Sequence, residues 1–391
     1  MADGKNLAAR WRALRAGVAA GGLACGLAVF ASSASAQPTS LYVGMHGSDI
    51  RKAHFDPADG SLVIDGVAAL VPRPTWTLAH PRLPILYSVN EVGNDGGANG
   101  SVLAFRIDRK TGDLKLISQV DAGGGGTTYL TLDKHSMTLF AANYGGGSVA
   151  AIPVLEDGSL GPRASLVIDH GSGPNKRQTR PHAHGAEVDP SGKYVIVSDL
   201  GADRVFIYPF DAKTRTLWQP GPGQETHHIA PPGSGPRHTV FSPNGKYLYL
   251  LNELTAQLAT FQWDAKAGKL LELDRQTTNS ADFKSDSSVS EIQISPNGRF
   301  LYAGNRGENT IVIYALDPVS GKPSLVQRIG SGGDFPWSFS FDPSHHWLLV
   351  ANERSDRIEI FSVDPPSGKL TDTGRSVSTP KPVSITFVPG L

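Results

Sequence analysis

A few short stretches of the 391-residue chain concentrate side chains able to move protons or hold anions. RPHAH (180–184) carries His182 and His184, and GPRH (235–238) carries Arg237 and His238. Glu253 follows Asn252, Arg306 follows Asn305, and SVSE (288–291) ends in Glu291. FPWS (335–338) holds Trp337, and Asn143 precedes Tyr144. An arginine beside Glu253 would keep that carboxylate ionised. Two guanidinium groups near one mouth, Arg237 and Arg306, would favour a carboxylate, a phosphate or a developing oxyanion. His182 and His184 alternate along a strand, so only one can point inward, and the register favours His184.

Other chemistries leave no trace. The glycine run at 123–126 lacks the Gly-Lys-Ser/Thr ending of a phosphate loop, and neither Gly-x-Ser-x-Gly nor His-Glu-x-x-His occurs. His345 and His346 fall in a surface turn, while His227 and His228 lie in a loop before GPRH that can approach the same mouth. Lys and Arg total 36 against 36 Asp and Glu, so no basic field argues for nucleic acid. No cofactor is expected. A metal on the channel axis would need several carboxylates, and Glu91, Glu291 and Glu353 leave that open.

The elements that must position these residues are repeats. SPNGKYLYLLN (242–252), SPNGRFLYAGN (295–305), DPSGKYVIVSD (189–199) and DPSHHWLLVAN (342–352) are copies of one phrase. The apolar run closes on Asn or Asp at 90, 143, 199, 252, 305 and 352, with LYVG (41–44) one further copy. A second mark, an acid–Gly–Leu hairpin, appears as DPADGSL, DRKTGDL, EDGSL, DAKTRTL, DAKAGKL, DPVSGKPSL and DPPSGKL. Periods near 50 residues signal radial or stacked repeats. Short runs rich in Val, Ile, Tyr, Phe and Leu between Gly, Pro, Asn and Asp read as strands, four per unit: HTVFS, YLYLLNE, LATFQWD and LLELDRQ in one of them. The prediction is an all-β, seven-bladed propeller with four-stranded antiparallel blades. The chain starts on a second strand and ends with VSITFV (383–388), which supplies the missing inner strand of the first blade and closes the ring.

In such a blade the start of strand one and the end of strand two meet at one mouth. That geometry groups His184, Arg237, Glu253 and Arg306, with His182, His238, Glu291, Trp337 and Asn143 as candidate substrate contacts. Each has a plainer reading. Asn recurs at the end of strand two, which marks a turn former. Glu91, Glu253 and Glu353 share one register, so not all three can act.

Residues 1–36 read as a secretory signal peptide: Lys5, Arg10, Arg12 and Arg15, an apolar stretch, then Ala34-Ser35-Ala36. Residues 37–391 form the single propeller domain. The one cysteine, Cys25, lies inside the leader, so the mature chain has no disulfide or thiol nucleophile. An exported, periplasmic or secreted monomer is expected, with no membrane insertion once the leader is cut.

Three segments carry a family resemblance: 171–208 around KRQTRPHAHGAEVDPSGKYVIVSD, GSGPRHTVFSPNGKYLYLLNEL (233–254) and SEIQISPNGRFLYAGNRGENTIVIY (290–314). The chain resembles, over 41–388, the lactonase family of seven-bladed propellers, which includes bacterial 6-phosphogluconolactonase and the fungal carboxy-cis,cis-muconate cyclizing enzyme. The resemblance implies a cleft surrounded by His184, Arg237, Glu253 and Arg306. It implies a carboxylic-ester hydrolase opening a sugar (aldono)lactone, with a small-molecule lactone or anionic sugar acid as substrate. Glu253 or His184 would activate water, the other would protonate the leaving oxygen, and the arginines would hold the oxyanion. Two alternatives stand beside this: a cycloisomerase running the ring closure, and an exported propeller that only binds a ligand or protein. An export signal sits awkwardly with a phosphorylated, cytoplasmic sugar lactone and favours a non-phosphorylated aldonolactone.

Overall fold

Each repeat unit folds into an antiparallel sheet, and seven sheets stand around a central channel. The structure, a computed structural model, describes residues 38–221, 224 and 226–388; the expected leader lies outside the described residues. The fifth blade shows the plan: Pro236–Phe241 innermost, then Tyr247–Asn252, Gln257–Asp264 and Lys269–Thr277. Inner strands of the other blades are Thr77–Ala79, Thr127–Asp133, Ala183–Val188, Val289–Ile294 and Pro336–Phe341. The first blade takes its inner strand from the C-terminal segment: Pro382–Phe387 pairs with Thr39–Met45, with Val43 opposite Ile385. The ring is therefore closed by hydrogen bonds between the two ends of the domain, as the sequence predicts.

Second strands read as unbroken apolar runs because neighbouring blades cover both of their faces. Every residue of Tyr247–Asn252 and of Phe300–Asn305 is buried. Outer strands alternate instead: along Lys269–Thr277, Lys269, Leu271 and Leu273 are exposed while the residues between them are half-buried. The core is a set of inter-blade layers, such as Phe140, Ala142 and Val149 against Val195, Val197, Phe206 and Tyr208.

The two repeated marks bind each other across blades. Tyr42, Tyr87, Tyr249 and Tyr302, on second strands, donate their hydroxyls to the carbonyls of Gly112, Gly158, Gly321 and Gly368 in the acid–Gly hairpin of the next blade. Glycine is required there for two reasons. Gly321 has φ +70°, and a Cβ on it would sit 2.5 Å from the Tyr247 ring.

The fourth blade departs from the four-strand expectation. Its outer position is filled by two short segments, Thr216–Leu217 and Thr226–Ile229, both paired with Arg204–Asp211. The linking sequence is rich in proline, which cannot donate to a ladder. His227 and His228, read from the sequence as part of a loop able to approach the mouth, lie on this outer edge instead, with His228 against Phe261 and Glu272.

Candidate functional site

Ladder irregularities at the starts of the inner strands aim the candidate residues. Pairing jumps from Ala183 to Gly185, from Pro236 to His238, from Val289 to Ile292 and from Pro336 to Ser338. The residues left out are His184, Arg237, Ser290 with Glu291, and Trp337. A bulge frees a side chain from the pleat and re-aims it. The adjoining loop is held by one recurrent bond, in which the residue after strand two donates its N–H to the strand-one side. Examples are His46 to Lys381, Glu91 to Arg73, Glu253 to Gly235 and Glu353 to Phe335. The acceptors Lys381, Arg73 and Phe335 have positive φ (40°, 49° and 65°), a strained conformation for side chains of this size.

Glu253 is the centre of the cluster. Its Oε2 accepts from Arg237 Nε at 3.0 Å and lies 2.9 Å from Arg306 Nη2. Its Oε1 accepts from Arg177 Nη1 at 2.5 Å. His184 Nε2 stands 3.9 Å from Oε2. Burial works against ionisation of Glu253, but Arg306, Arg177 and Arg237 outweigh it and hold the carboxyl well below its ordinary range. Burial also lowers Arg306, and it lowers Arg237 to about 10 with Arg306 adding to the effect. His184 is held neutral by burial first and by Arg237 and His238 second. Arg306 packs against Phe335 and Trp337, 4.8 and 4.9 Å from the ring centres. Arg237 donates to the Ser290 carbonyl and approaches His238 Nδ1 at 3.2 Å.

A cavity of about 580 Å³ opens beside this cluster, lined by Glu253, Arg306 and Trp337 together with His46, Arg177, Ser288, Phe335, Glu353, Arg354, Asp356 and Lys381. His184 and Arg237 do not line it; they back Glu253 from the buried side. His238 and Glu291 form a further buried group: Glu291 Oε2 is 3.2 Å from His238 Nδ1, and the His238 ring packs on Trp76, Tyr129 and His184. Burial pushes Glu291 up to about 7, against the pull of Arg237. Burial and the charge of Glu291 push Glu187 up to about 8. His182 turns aside from the cleft. Its Nδ1 donates to the Tyr144 carbonyl at 2.7 Å and its ring stacks on Tyr144 at 4.3 Å.

Asn143, expected among the substrate contacts, is fully buried and committed within its own blade. Its Oδ1 accepts from Thr127, and its Nδ2 donates to the Ala122 carbonyl and to Ser148. Asn352 does likewise with the Ser331 carbonyl, so the recurrent Asn is a turn and strand-end fixture. The three carboxylates weighed for an axial metal do not converge. Glu91 is engaged by Arg73, Thr75 and Asn94, and Glu353 by His46 at 2.8 Å. Among the described residues no group of three or more His, Cys, Asp or Glu is placed to hold a metal ion, and no helix is long and apolar enough to cross a membrane.

Sequence reasoning missed Arg177, His46, Arg354 and Lys381. Arg177 lies in a loop outside the strand repeat, and only its place in KRQTRPHAH marked it. His46 was within reach. Strand pairing ends the first copy at Met45, so His46 occupies the register of Glu91, Glu253 and Glu353.

The family profile described as Lactonase, 7-bladed beta-propeller, matches residues 36–387. A 6-phosphogluconolactonase of Bacillus subtilis is 32% identical over 351 residues, 89% of this chain and 97% of the relative. A 6-phosphogluconolactonase of Formosa agariphila is 33% identical over 304 residues, 76% of this chain and 83% of the relative. Among solved structures, the periplasmic gluconolactonase PpgL of Pseudomonas aeruginosa superposes with a TM-score of 0.83 at 35% identity, covering 90% of this chain and 99% of that one.

Proposed function

The chain belongs to the lactonase family of seven-bladed β-propellers, and from that premise we propose that its cleft opens a sugar lactone by water attack. The observation that carries this reading is the Glu253 carboxylate, exposed to a 580 Å³ cavity, fixed by arginines and backed by a neutral imidazole. Glu253 orients the attacking water. The water gives its proton to the Glu253 carboxylate, which His184 backs from the buried side, 3.9 Å from Oε2. Arg306, at the cavity wall, neutralises the tetrahedral oxyanion, and Arg237 holds Glu253 in place. The protonated Glu253 then returns the proton to the leaving alkoxide. The product hydroxy acid then ionises, releasing one proton per turnover, which a pH-stat reads directly.

The relatives are described as acting on gluconolactones with and without a phosphate, and both are the substrates to test. Hydrolysis of glucono-δ-lactone and 6-phosphoglucono-δ-lactone, corrected for spontaneous opening, should fall about 10²–10⁴-fold in Glu253→Gln. An unchanged rate in a variant that keeps its fold would sink the assignment. No wild-type rate above background on either lactone would leave the cyclizing and ligand-binding readings. Export is proposed from the leader-like start, in keeping with the relative described as periplasmic.

A further inference from the structure

The three arginines on Glu253 are not equivalent. Arg237 and Arg306 have side chains 1% and 5% exposed and both engage Oε2, which also faces His184. Arg177 is 42% exposed and engages Oε1. Oε2 is thus crowded, and Oε1 is the oxygen on which a water could sit. Arg177 occupies that position.

The mounting of Arg177 separates a fixed backbone from a free side chain. Gln178, next in sequence, is fully buried and donates to the Leu200 carbonyl at 2.8 Å and to Asp203 Oδ1 at 2.6 Å. The Asp203 carboxylate also accepts the N–H groups of Gly233 and Gly235, at 2.6 and 2.8 Å. The loop is therefore pinned to the floor of the fourth and fifth blades. Beyond Glu253, the Arg177 guanidinium donates to the Tyr144 hydroxyl at 3.1 Å. A long side chain on a pinned backbone can change partners without moving the loop. The cavity wall around it carries four permanent cations, Arg177, Arg306, Arg354 and Lys381, against three carboxylates, Glu253, Glu353 and Asp356. Glu353 is taken by His46, and Asp356 accepts the backbone N–H of Lys381. The lining thus carries one more positive than negative side chain.

We propose that Arg177 is a specificity-determining latch, which covers Glu253 Oε1 until an anionic substituent of the substrate draws the guanidinium away and exposes that oxygen to water. This deepens the lactonase reading and rests on it. A substrate carrying a phosphate or carboxylate away from its ring ester releases the latch. A neutral lactone meets Glu253 still covered. Binding energy from a remote group of the substrate is thereby converted into readiness at the reacting centre. No covalent step is added; one ion pair is exchanged for another.

The test uses the whole chain with Arg177→Gln and Arg177→Lys, and three lactones: glucono-δ-lactone, 6-phosphoglucono-δ-lactone and glucaro-1,4-lactone. The last two separate phosphate from carboxylate as the releasing group. In Arg177→Gln the ratio of kcat/KM for the preferred anionic lactone over the neutral one should fall about 10–100-fold, the range of a lost charge-assisted hydrogen bond. Arg177→Lys should recover part of it. The acid limb of the kcat/KM profile should move to higher pH in Arg177→Gln, because Glu253 of the free enzyme loses one neighbouring cation. An unchanged ratio, or parallel losses on all three lactones with no movement of the acid limb, overturns the latch. If wild type turns over none of them, the lactonase reading fails but the latch is still read. Calorimetric titration should then show glucose 6-phosphate, and not glucose, bound about 10–100-fold more weakly by Arg177→Gln. Equal affinity in wild type and variant overturns the proposal on that arm.

Discussion

Replacing Glu291 by Gln should stabilise the protein at neutral and mildly alkaline pH. Glu291 is 5% exposed, and burial holds its pKa at about 7 against an ordinary 4.5. The folded chain therefore binds a proton here that the unfolded chain gives up between pH 4.5 and 7. Where the folded state binds more protons, stability falls as pH rises. The contribution is complete below pH 4.5 and is lost as pH climbs through the folded value. Each pH unit is worth ~1.4 kcal/mol, so wild type loses on the order of 3 kcal/mol from this group by pH 8. Gln keeps the shape of the protonated acid and can still meet His238 Nδ1, yet has nothing to ionise. Four groups face the side chain and can bias it: His238 and Arg237 from the fifth blade, Glu187 from the fourth and Tyr129 from the third. Glu187, itself raised to about 8, should titrate more easily once the Glu291 charge is gone. The assay is urea unfolding at pH 5, 6, 7 and 8 for both proteins. Imidazoles held neutral by burial, such as His182, give an opposing slope below pH 6.5 in both and cancel in the difference. A difference that grows toward pH 8 is expected. Parallel pH profiles for the two proteins, or a Gln variant less stable at pH 8, would refute the argument.

Asn143→Ala should lower stability by ~2–4 kcal/mol, since one buried donor, the Thr127 hydroxyl, and two acceptors, the Ala122 carbonyl and Ser148 Oγ, lose their partner; the KM for any lactone turned over should stay within about threefold, and a large KM change with unchanged Tm would return Asn143 to the cleft. The leader-like start predicts that chain carrying it accumulates, on fractionation of expressing cells, as a periplasmic species beginning at Gln37; full-length chain confined to the cytoplasm would count against export.

The fold was readable because its repeated words are contacts. The Tyr of LYLL and LYAG and the Gly of the acid–Gly hairpin recur together since one donates to the other across four of the blade boundaries, as Tyr249 does to Gly321 and Tyr302 to Gly368. A pattern with that physical cause survives sequence variation. Strand direction put His184, Arg237, Glu253 and Arg306 at one mouth among other strand-end residues, the family resemblance singled the four out, and the structure gathers His184, Arg237 and Arg306 around Glu253. Two things could not be read. The bulges that free His184, Arg237 and Trp337 are backbone events with no fixed residue signature. Arg177 arrives from a loop whose path depends on the buried Gln178–Asp203 contact, which no periodicity announces. Asn143 was misplaced for a different reason. Its side chain and that of Glu253 both belong to the end of strand two, but residues one apart at such an end face opposite ways.

Seven near-identical blades can build one lopsided site because backbone and side chain have separate duties at the mouth. The N–H of the residue after strand two is bound the same way in blade after blade, so the ring is fixed whatever the side chain is. That side chain is then free to differ: His46, Glu91, Tyr144, Glu253 and Glu353 occupy equivalent places, each with its own partners. Glu91 is sealed against Arg73, Thr75 and Asn94. Glu353, two blades on and lining the same cavity, keeps His46. Glu253 alone of the three is met by two buried arginines, because the bulge of its own blade delivers Arg237 and the next blade delivers Arg306. A carboxylate so paired stays charged without solvent, which a surface glutamate achieves only by keeping its water. The asymmetry that makes a reactive centre thus comes from two neighbouring blades, five and six, each contributing a cation to one carboxylate; the remaining blades supply the closed scaffold, the imidazole behind it and the aromatic wall that keeps Arg306 in place.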